Sequence, residues 1–258
     1  MKKRLLITSI VMMLVVAVAL STATYAWFTS NAAVTASSIT LTAESNAGAS
    51  IGIAWGTDEL ASAITAQGPA EGAKFAPMAP ATCEEGVTAV GVQFQTATIK
   101  SSAGEYVFNG PTNTSAFAYQ SASNQTFFRV ANTSSSNNAS VQMALTGATD
   151  SADLLRIGVF TSATSDGAYK LAKVLSVTAG EEVAYGTIVS GNAVDELVAD
   201  GQEYETASTY TFPLANLTTG TGSVLYFKVI VWMDGYALND ATASSVGTFG
   251  FSFTATKA

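Results

Sequence analysis

Val224–Met233, VLYFKVIVWM, is a run of ten residues with a single charge. A stretch of this length, rich in β-branched and aromatic side chains, predicts a strand that is buried on both faces. Thr248–Thr256, TFGFSFTAT, places Phe249, Phe251 and Phe253 on one face and small residues on the other. This alternation predicts a second strand, with one packed face and one solvated face.

Shorter segments of the same β character precede these two strands. Turns rich in Gly, Asn and Ser separate them, and strands do not alternate with long helices. The segments are Val34–Ala43, Ile51–Trp55, Val87–Lys100, Tyr106–Phe108, Leu154–Thr161 and Tyr169–Val177. The sequence therefore predicts an all-β fold, an antiparallel β-sandwich of the jelly-roll or Ig-like Greek-key type.

Local signals predict how some segments are connected. Thr126–Asn132 and Ala139–Leu145 flank the polar turn Thr133–Asn138, which is the pattern of a β-hairpin. Asp58–Ala66 is consistent with a brief helix, and Asn192–Tyr204 has the start and stop signals of one or two helical turns. We therefore expect short helices only in the loops of the sandwich.

The first residues of the chain predict export. MKKR is followed by the apolar run Leu5–Leu20 and by small residues that end at Ala26. This order predicts a secretory signal helix that is cleaved after Ala26, leaving Trp27 first. The apolar run has 16 residues, whereas a membrane-spanning helix needs about 20. The alternative is an uncleaved anchor that continues through Phe28, with the aromatic pair at the membrane interface.

Three parts follow from these signals. They are a signal peptide over 1–26, an N-terminal arm with the first strand over 27–43, and a β-sandwich domain over 44–258. Gly56–Gly86 lacks strand alternation and contains three of the five prolines. We expect a loop insertion at about 56–86, and a loop of that size usually packs on something or binds something.

Charge and missing residue types exclude several classes of function. The formal net charge of −8 argues against nucleic acid and anionic membrane surfaces as partners. The chain has no histidine, which excludes zinc sites of the H-E-x-x-H kind and Ser-His-Asp triads. Cys83 is the only cysteine, so an intramolecular disulfide is excluded. We predict no enzymatic activity, no catalytic residue, no cofactor and no metal site.

Two polar patterns are interpreted as structural or incidental. Asp234, Asn239 and Asp240 follow the buried strand and, with Asp150 and Asp153, are candidate Ca²⁺ ligands. The spacing of a Ca²⁺-binding loop is missing, which favours a solvated turn. N-x-S/T triplets are expected by chance in a chain rich in Ser and Thr. They begin at Asn113, Asn124, Asn132, Asn138 and Asn216.

The end of the leader, Ala23–Asn31 (ATYAWFTSN), resembles that of the TasA and camelysin family of secreted, fibre-forming bacterial proteins. Leaders of that family are cut by a SipW-type signal peptidase. Four further segments resemble elements of this family or of related exported proteins. They are Ser38–Ala43 (SITLTA), Phe127–Leu145 (FFRVANTSSSNNASVQMAL), Val229–Tyr236 (VIVWMDGY) and Phe249–Thr256 (FGFSFTAT). The resemblance implies a secreted subunit of an extracellular fibre or biofilm matrix.

The resemblance also implies assembly through a donor strand. An N-terminal strand freed by cleavage has one connection to its sandwich, so it can pair with its own sheet or with a neighbour. Head-to-tail pairing does not close and grows into a filament. The candidate polymerisation residues are Trp27, Phe28, Val34, Ile39 and Leu41. In the alternative interpretation, Trp27 and Phe28 belong to the signal or pack on their own domain. The expected partners are other copies of the chain, the signal peptidase and other matrix or surface proteins.

A second class of function is also consistent with the sequence. It is a monomeric adhesin or ligand-binding sandwich, held at the membrane by an uncleaved Leu5–Phe28 helix. The Gly56–Gly86 loop and the aromatic residues Trp55, Phe75 and Trp232 would then form its binding surface.

Overall fold

The protein is built almost entirely of β-strands. The computed structural model describes residues 39–45, 48–66, 77–80, 86, 88, 94–99, 106–111, 117–118, 121, 123–146, 155–180, 182–184, 203–219, 221–234 and 250–258. Within these ranges the only helical element is a 3₁₀ turn at Leu217–Thr219. The strands are β1 (Ile39–Ser45), β2 (Ile51–Trp55), β3 (Ala63–Ala66), β4 (Pro77–Pro80), β5 (Phe94–Ile99), β6 (Tyr106–Pro111), β7 (Phe117–Ala118), β8 (Phe128–Asn132), β9 (Ala139–Thr146), β10 (Leu155–Ser162), β11 (Lys170–Leu175), β12 (Glu182–Ala184), β13 (Glu203–Glu205), β14 (Thr209–Leu214), β15 (Val224–Asp234) and β16 (Gly250–Lys257).

Most of these strands form two sheets that pack face to face. Sheet 1 has the order β14-β9-β16-β1-β3. Sheet 2 is centred on β15, with β10 and then β11 on one side. Three strands share the other side of β15, because β8, β7 and β4 pair with successive parts of it. β8 continues to β2, and β4 continues to β5 and β6.

Antiparallel neighbours dominate both sheets, which confirms the predicted antiparallel β-sandwich. Among the ladders between the described strands, two are parallel, between β1 and β16 and between β4 and β15. A separate two-stranded ladder joins β12 and β13.

Aromatic rings fill the space between the sheets. The Phe227 ring of sheet 2 has its centroid 5.1 Å from that of Phe212 and 5.8 Å from that of Phe253, both in sheet 1. Within sheet 2, Phe128 stacks on Phe227 with the ring centroids 5.2 Å apart. Such rings bury large apolar areas and pack in defined geometries. The main core therefore ties the two sheets to each other through a few large side chains.

The two strands with the clearest sequence patterns behave as predicted. In β15, Phe227 and Val231 are buried in the main core, and Trp232 is buried in a second cluster on the opposite face. In β16, Phe251, Phe253 and Ala255 are fully buried, while Ser252 and Thr254 between them are partly exposed.

The predicted hairpin between Thr126–Asn132 and Ala139–Leu145 is wrong. β8 belongs to sheet 2, where it pairs with β2 and β15, and β9 belongs to sheet 1, where it pairs with β14 and β16. Residues 133–138 therefore form an arch that crosses from one sheet to the other. Both strands have alternating apolar residues, so each satisfies its pattern equally well with partners that are distant in the sequence.

A buried asparagine fixes the shape of this arch. The Asn132 side chain is fully buried, and its Nδ2 donates hydrogen bonds to the carbonyl oxygens of Asn137 and Ala215, at 2.8 and 3.1 Å. Its Oδ1 accepts a hydrogen bond of 2.9 Å from the N–H of Ser134. Two backbone polar groups of the arch, and the carbonyl group of Ala215 after β14, are thereby satisfied.

The predicted brief helix over Asp58–Ala66 is also wrong, because Ala63–Ala66 is β3. The predicted loop insertion at 56–86 contains both β3 and β4, which pair with β1 and with β5 and β15. Pairing partners rather than local alternation make these short segments strands. Of the helical turns predicted over Asn192–Tyr204, residues 192–202 lie outside the described part, and Tyr204 is in the strand β13.

Candidate functional site

The structure describes the last five residues of the predicted donor segment, 39–43. Ile39 is the first residue of β1, and Leu41 lies two residues further along the strand. Other predicted positions fall outside the described residues; they are Ala26 and Trp27 of the cleavage site, Phe28, Val34 and Cys83. The surroundings of β1 therefore define the candidate site.

β1 lies in the interior of sheet 1, between β16 and β3. It runs parallel to β16, with Leu41 opposite Phe251 and Ala43 opposite Phe253. It runs antiparallel to β3, with Leu41 opposite Ile64. A parallel partner cannot be joined by a tight turn, so pairing and packing hold β1 against the last strand. We call this position, occupied by Ile39–Ser45, the β1 seat.

One face of β1 contributes to the main core and the other faces solvent. Leu41 is 1% exposed and belongs to the core cluster, and Ala43 packs against the same cluster. Thr40 and Glu44 on the opposite face are exposed. The seat therefore recognises a strand with a large apolar residue at one position and tolerates polar residues on either side of it.

The edge of sheet 1 beside β3 is partly closed by sheet 2. Ala43 N–H donates to the carbonyl oxygen of Ser62 at 2.7 Å. In the segment 61–66, the backbone N–H and C=O groups of even-numbered residues therefore point toward β1, and those of odd-numbered residues point away from it. Of the latter, Ala61 exchanges two hydrogen bonds of 2.9 Å with Ile53 in β2. The carbonyl oxygen of Thr65 accepts a hydrogen bond of 3.0 Å from the indole Nε1 of Trp55.

The opposite edge of sheet 1, at β14, is also restricted. Just before β14, Ala207 N–H donates to the carbonyl oxygen of Val174 at 3.0 Å, and its own carbonyl oxygen accepts from Ser176 N–H at 3.1 Å. These bonds join sheet 1 to the end of β11. Pro213 in β14 has no N–H to offer an added strand. Both edges of sheet 1 therefore resist the simple addition of a strand from another molecule.

The outer face of sheet 2 carries a buried ion pair that the sequence patterns did not reveal. Arg156 Nε in β10 lies 3.3 Å from Asp234 Oδ2 at the end of β15, and both side chains are at most 2% exposed. Asp234 was predicted to lie in a solvated turn, and this prediction is wrong. Asn239, Asp240, Asp150 and Asp153 lie outside the described residues. The available signal was a single charge, Arg156, inside the apolar run of β10.

Two of the three aromatic residues proposed for a ligand-binding surface are buried. Trp55 is 5% exposed and Trp232 is 2% exposed, because each packs in one of the two core clusters. Phe75 lies outside the described residues. The indole nitrogen of Trp55 is bonded to the backbone of β3, which assigns this side chain a structural role.

Tyr169 lies against the same outer face of sheet 2. Its hydroxyl donates a hydrogen bond of 3.1 Å to the carbonyl oxygen of Ser165, and Lys228 Nζ lies 4.5 Å from the centre of its ring. The pKa of Tyr169 is raised to about 12, mainly by burial, and the nearby Tyr226 and Asp166 contribute to the same shift. The residue is therefore neutral at physiological pH and acts as a packing group.

In the described part of the chain, no group of three or more His, Cys, Asp and Glu side chains is arranged to hold a metal ion. No helix in the same residues has the length and apolar character required to cross a membrane.

Comparison with known proteins adds no relative to this description. No protein-family model, no curated protein and no solved structure matches the chain.

Proposed function

We propose that this chain is an exported structural subunit of an extracellular fibre, which polymerises head-to-tail through its N-terminal strand. The observation that carries the proposal is the β1 seat. β1, the first strand in the described part of the chain, fills a position in the interior of a sheet and is parallel to β16. Within the described residues its connection to the sandwich is the one that leads to β2.

The seat supports exchange between identical molecules. A neighbour's β1 has the same sequence, so it offers the same ladder hydrogen bonds and the same Leu41 side chain to the core. Exchange therefore replaces each intramolecular contact by an equivalent intermolecular one. When each molecule gives its strand to the next, the contact is heterologous and continues as a filament.

The restricted edges of sheet 1 favour exchange over edge addition. An incoming strand at β3 would compete with the bonds of Ala61 and Thr65, and one at β14 would meet Pro213. Replacement of β1 in its seat disturbs neither edge. Trp27 and Phe28, at the predicted new N-terminus, would add anchors on the receiving subunit, each contributing about 2–3 kcal/mol by burial of apolar area.

Composition and the resemblance of the leader support export. The chain has an acidic balance, one cysteine and no histidine, which fits a structural protein outside the cell better than an enzyme. Its leader resembles that of the TasA and camelysin family, whose members form fibres.

Deletion of Trp27–Ala33 tests the proposal. We expect the deleted protein to be secreted and folded, because β1 and its seat are intact. It should remain monomeric, because exchange of β1 alone only replaces contacts by equivalent ones and the added anchors Trp27 and Phe28 are lost. Electron microscopy of the culture surface and N-terminal sequencing of secreted protein give the readouts, with the full chain as control. Fibres of normal appearance from the deleted protein would reject the proposal. An intact Met1–Phe28 segment in the membrane fraction, without fibres from the full chain, would favour the anchored adhesin.

A further inference from the structure

The connection between β1 and β2 is fastened to the arch at 133–138. Asn137 Nδ2 donates a hydrogen bond of 3.0 Å to the carbonyl oxygen of Gly48. Thr133 N–H donates to the carbonyl oxygen of Ser50 at 2.7 Å, and the two hydroxyl groups of Thr133 and Ser50 lie 2.7 Å apart. Ala49, between the two anchored residues, is 4% exposed in the main core.

The anchoring side of this contact is rigid. Asn132 holds both ends of the arch through its bonds to Ser134 and Asn137, and a further bond ties it to Ala215. The anchored side has a special backbone, because Gly48 has a φ of +84°, which residues other than glycine rarely adopt. Residues 48–50 therefore follow one defined path across the end of the sandwich.

We propose that the contacts of Asn137 with Gly48 and of Thr133 with Ser50 form a latch that keeps β1 in its own seat. This inference rests on the proposed function, since β1 is the strand to be exchanged. A neighbour can receive β1 only when the residues between β1 and β2 extend between two molecules, and residues 48–50 then leave the path described above. The bond of Asn137 to Gly48 breaks in that step, and the pairing of Ser50 with Thr133, which extends the β2–β8 ladder by one residue, opens with it. The ladder bonds of β1 are remade in the neighbour.

The latch controls the rate of strand exchange more than the stability of the finished fibre. One hydrogen bond of this kind changes an opening equilibrium by about tenfold. Loss of the latch should therefore raise the open population, and with it the rate of exchange, while the finished fibre keeps the same seat contacts. Connections of this type are known sites at which substitutions promote strand swapping.

Three variants test the latch. Asn137→Ala removes the bond to Gly48, and Gly48→Ala strains the anchored backbone without changing the arch. Ser135→Ala is the matched control, because this exposed residue lies in the same arch. Hydrogen exchange of the Ala43 amide, which is bonded to Ser62, reports opening of β1 without any need for fibres.

We expect the Ala43 amide to exchange about tenfold faster in Asn137→Ala, with amides between β9 and β16 and the Ser135→Ala control unchanged. Fibre growth should accelerate by a similar factor. Unchanged exchange at Ala43 in both latch variants would overturn the inference. Faster exchange with no fibres from any form would uphold the latch and reject the proposed function, so the two failures are distinguishable.

A reversible lock gives an independent test in one protein. Ser50→Cys and Thr133→Cys, in a Cys83→Ser background, place two thiols where the hydroxyl groups are 2.7 Å apart, within reach of a disulfide. We expect the oxidised protein to remain folded and monomeric, and a reductant to restore fibre growth. Equal growth of the oxidised and reduced forms would overturn the inference.

Discussion

Gly250 lies directly against the backbone of Thr40. A Cβ atom on Gly250 would stand 2.5 Å from the carbonyl oxygen of Thr40, and 3.2 Å from Oγ1 of Thr146 in β9. No side-chain rotation relieves the first contact, because the Thr40 oxygen belongs to the backbone of β1. The glycine at the start of β16 is therefore a steric requirement of the β1 seat.

Gly250→Ala is expected to destabilise the seat. The added methyl group must push β1 away from β16, and overpacking of this kind costs about 1–3 kcal/mol in the free energy of unfolding. Urea denaturation measures the loss, and hydrogen exchange at Ala43 shows whether it is local to β1. Thr256→Ala is the control on the same strand, since Thr256 is exposed beyond the β1 register. Equal stability of Gly250→Ala and the unchanged chain would contradict the steric argument.

Leu41→Ala tests the apolar half of the seat. Leu41 is 1% exposed in the main core, so its truncation leaves a cavity and should lower the free energy of unfolding by about 2–5 kcal/mol. The neighbouring Thr40→Ala, on the exposed face, should change it by less than about 0.5 kcal/mol. Chemical denaturation of both variants gives the comparison. A similar effect of the two substitutions would show that β1 does not pack as described.

The strands that could be predicted are those whose own apolar pattern determines which faces are buried. β15 has an apolar run long enough to cover two faces, and in β16 the alternation of Phe251 and Phe253 with small residues defines one packed face. The same local information could not distinguish a hairpin from an arch over Thr133–Asn138. Both need polar turn residues, and the difference lies in which distant strands the flanking segments join.

For the candidate site, the sequence predicted that β1 is a strand but not which strands it pairs with. The residues of β1 show β character, but its partner β16 lies about 200 residues further along the chain, and no local pattern encodes such a parallel pairing. The role of Gly250 depends on the approach of β1, and that of Asn137 on the position of Gly48. Pairings at this sequence distance appear only in the folded chain.

The buried pair of Arg156 and Asp234 predicts a large asymmetry between single and double substitutions. Asp234→Asn removes the carboxylate that lies 3.3 Å from the buried guanidinium of Arg156, which should cost about 3–5 kcal/mol. Arg156→Met alone should cost a similar amount, because it removes the cation beside the buried carboxylate of Asp234. The double variant Arg156→Met with Asp234→Asn should recover part of the loss, because both charges of this pair are then removed. A double-mutant cycle from urea denaturation measures the coupling, and strictly additive losses would contradict it.

Tyr169 predicts a loss of stability at high pH. Its pKa is about 12 in the folded protein and near 10 when unfolded, so the unfolded chain releases this proton first. Between these two values the folded state binds more protons, and the free energy of unfolding must fall as pH rises. Below that window both states are protonated and Tyr169 contributes no pH dependence.

Tyr169→Phe isolates this contribution from the other eight of the nine tyrosines in the chain. Loss of the hydrogen bond to Ser165 in this variant should lower the free energy of unfolding by about 0.5–1.5 kcal/mol at neutral pH. From pH 10 to pH 12 the gap between the two proteins should narrow, because only the unsubstituted chain is destabilised by ionisation of residue 169. Urea denaturation at a series of pH values measures both curves. Parallel curves through this window would mean that Tyr169 ionises as readily in the folded protein as in the unfolded chain, and that the outer face of sheet 2 does not exclude water from its ring.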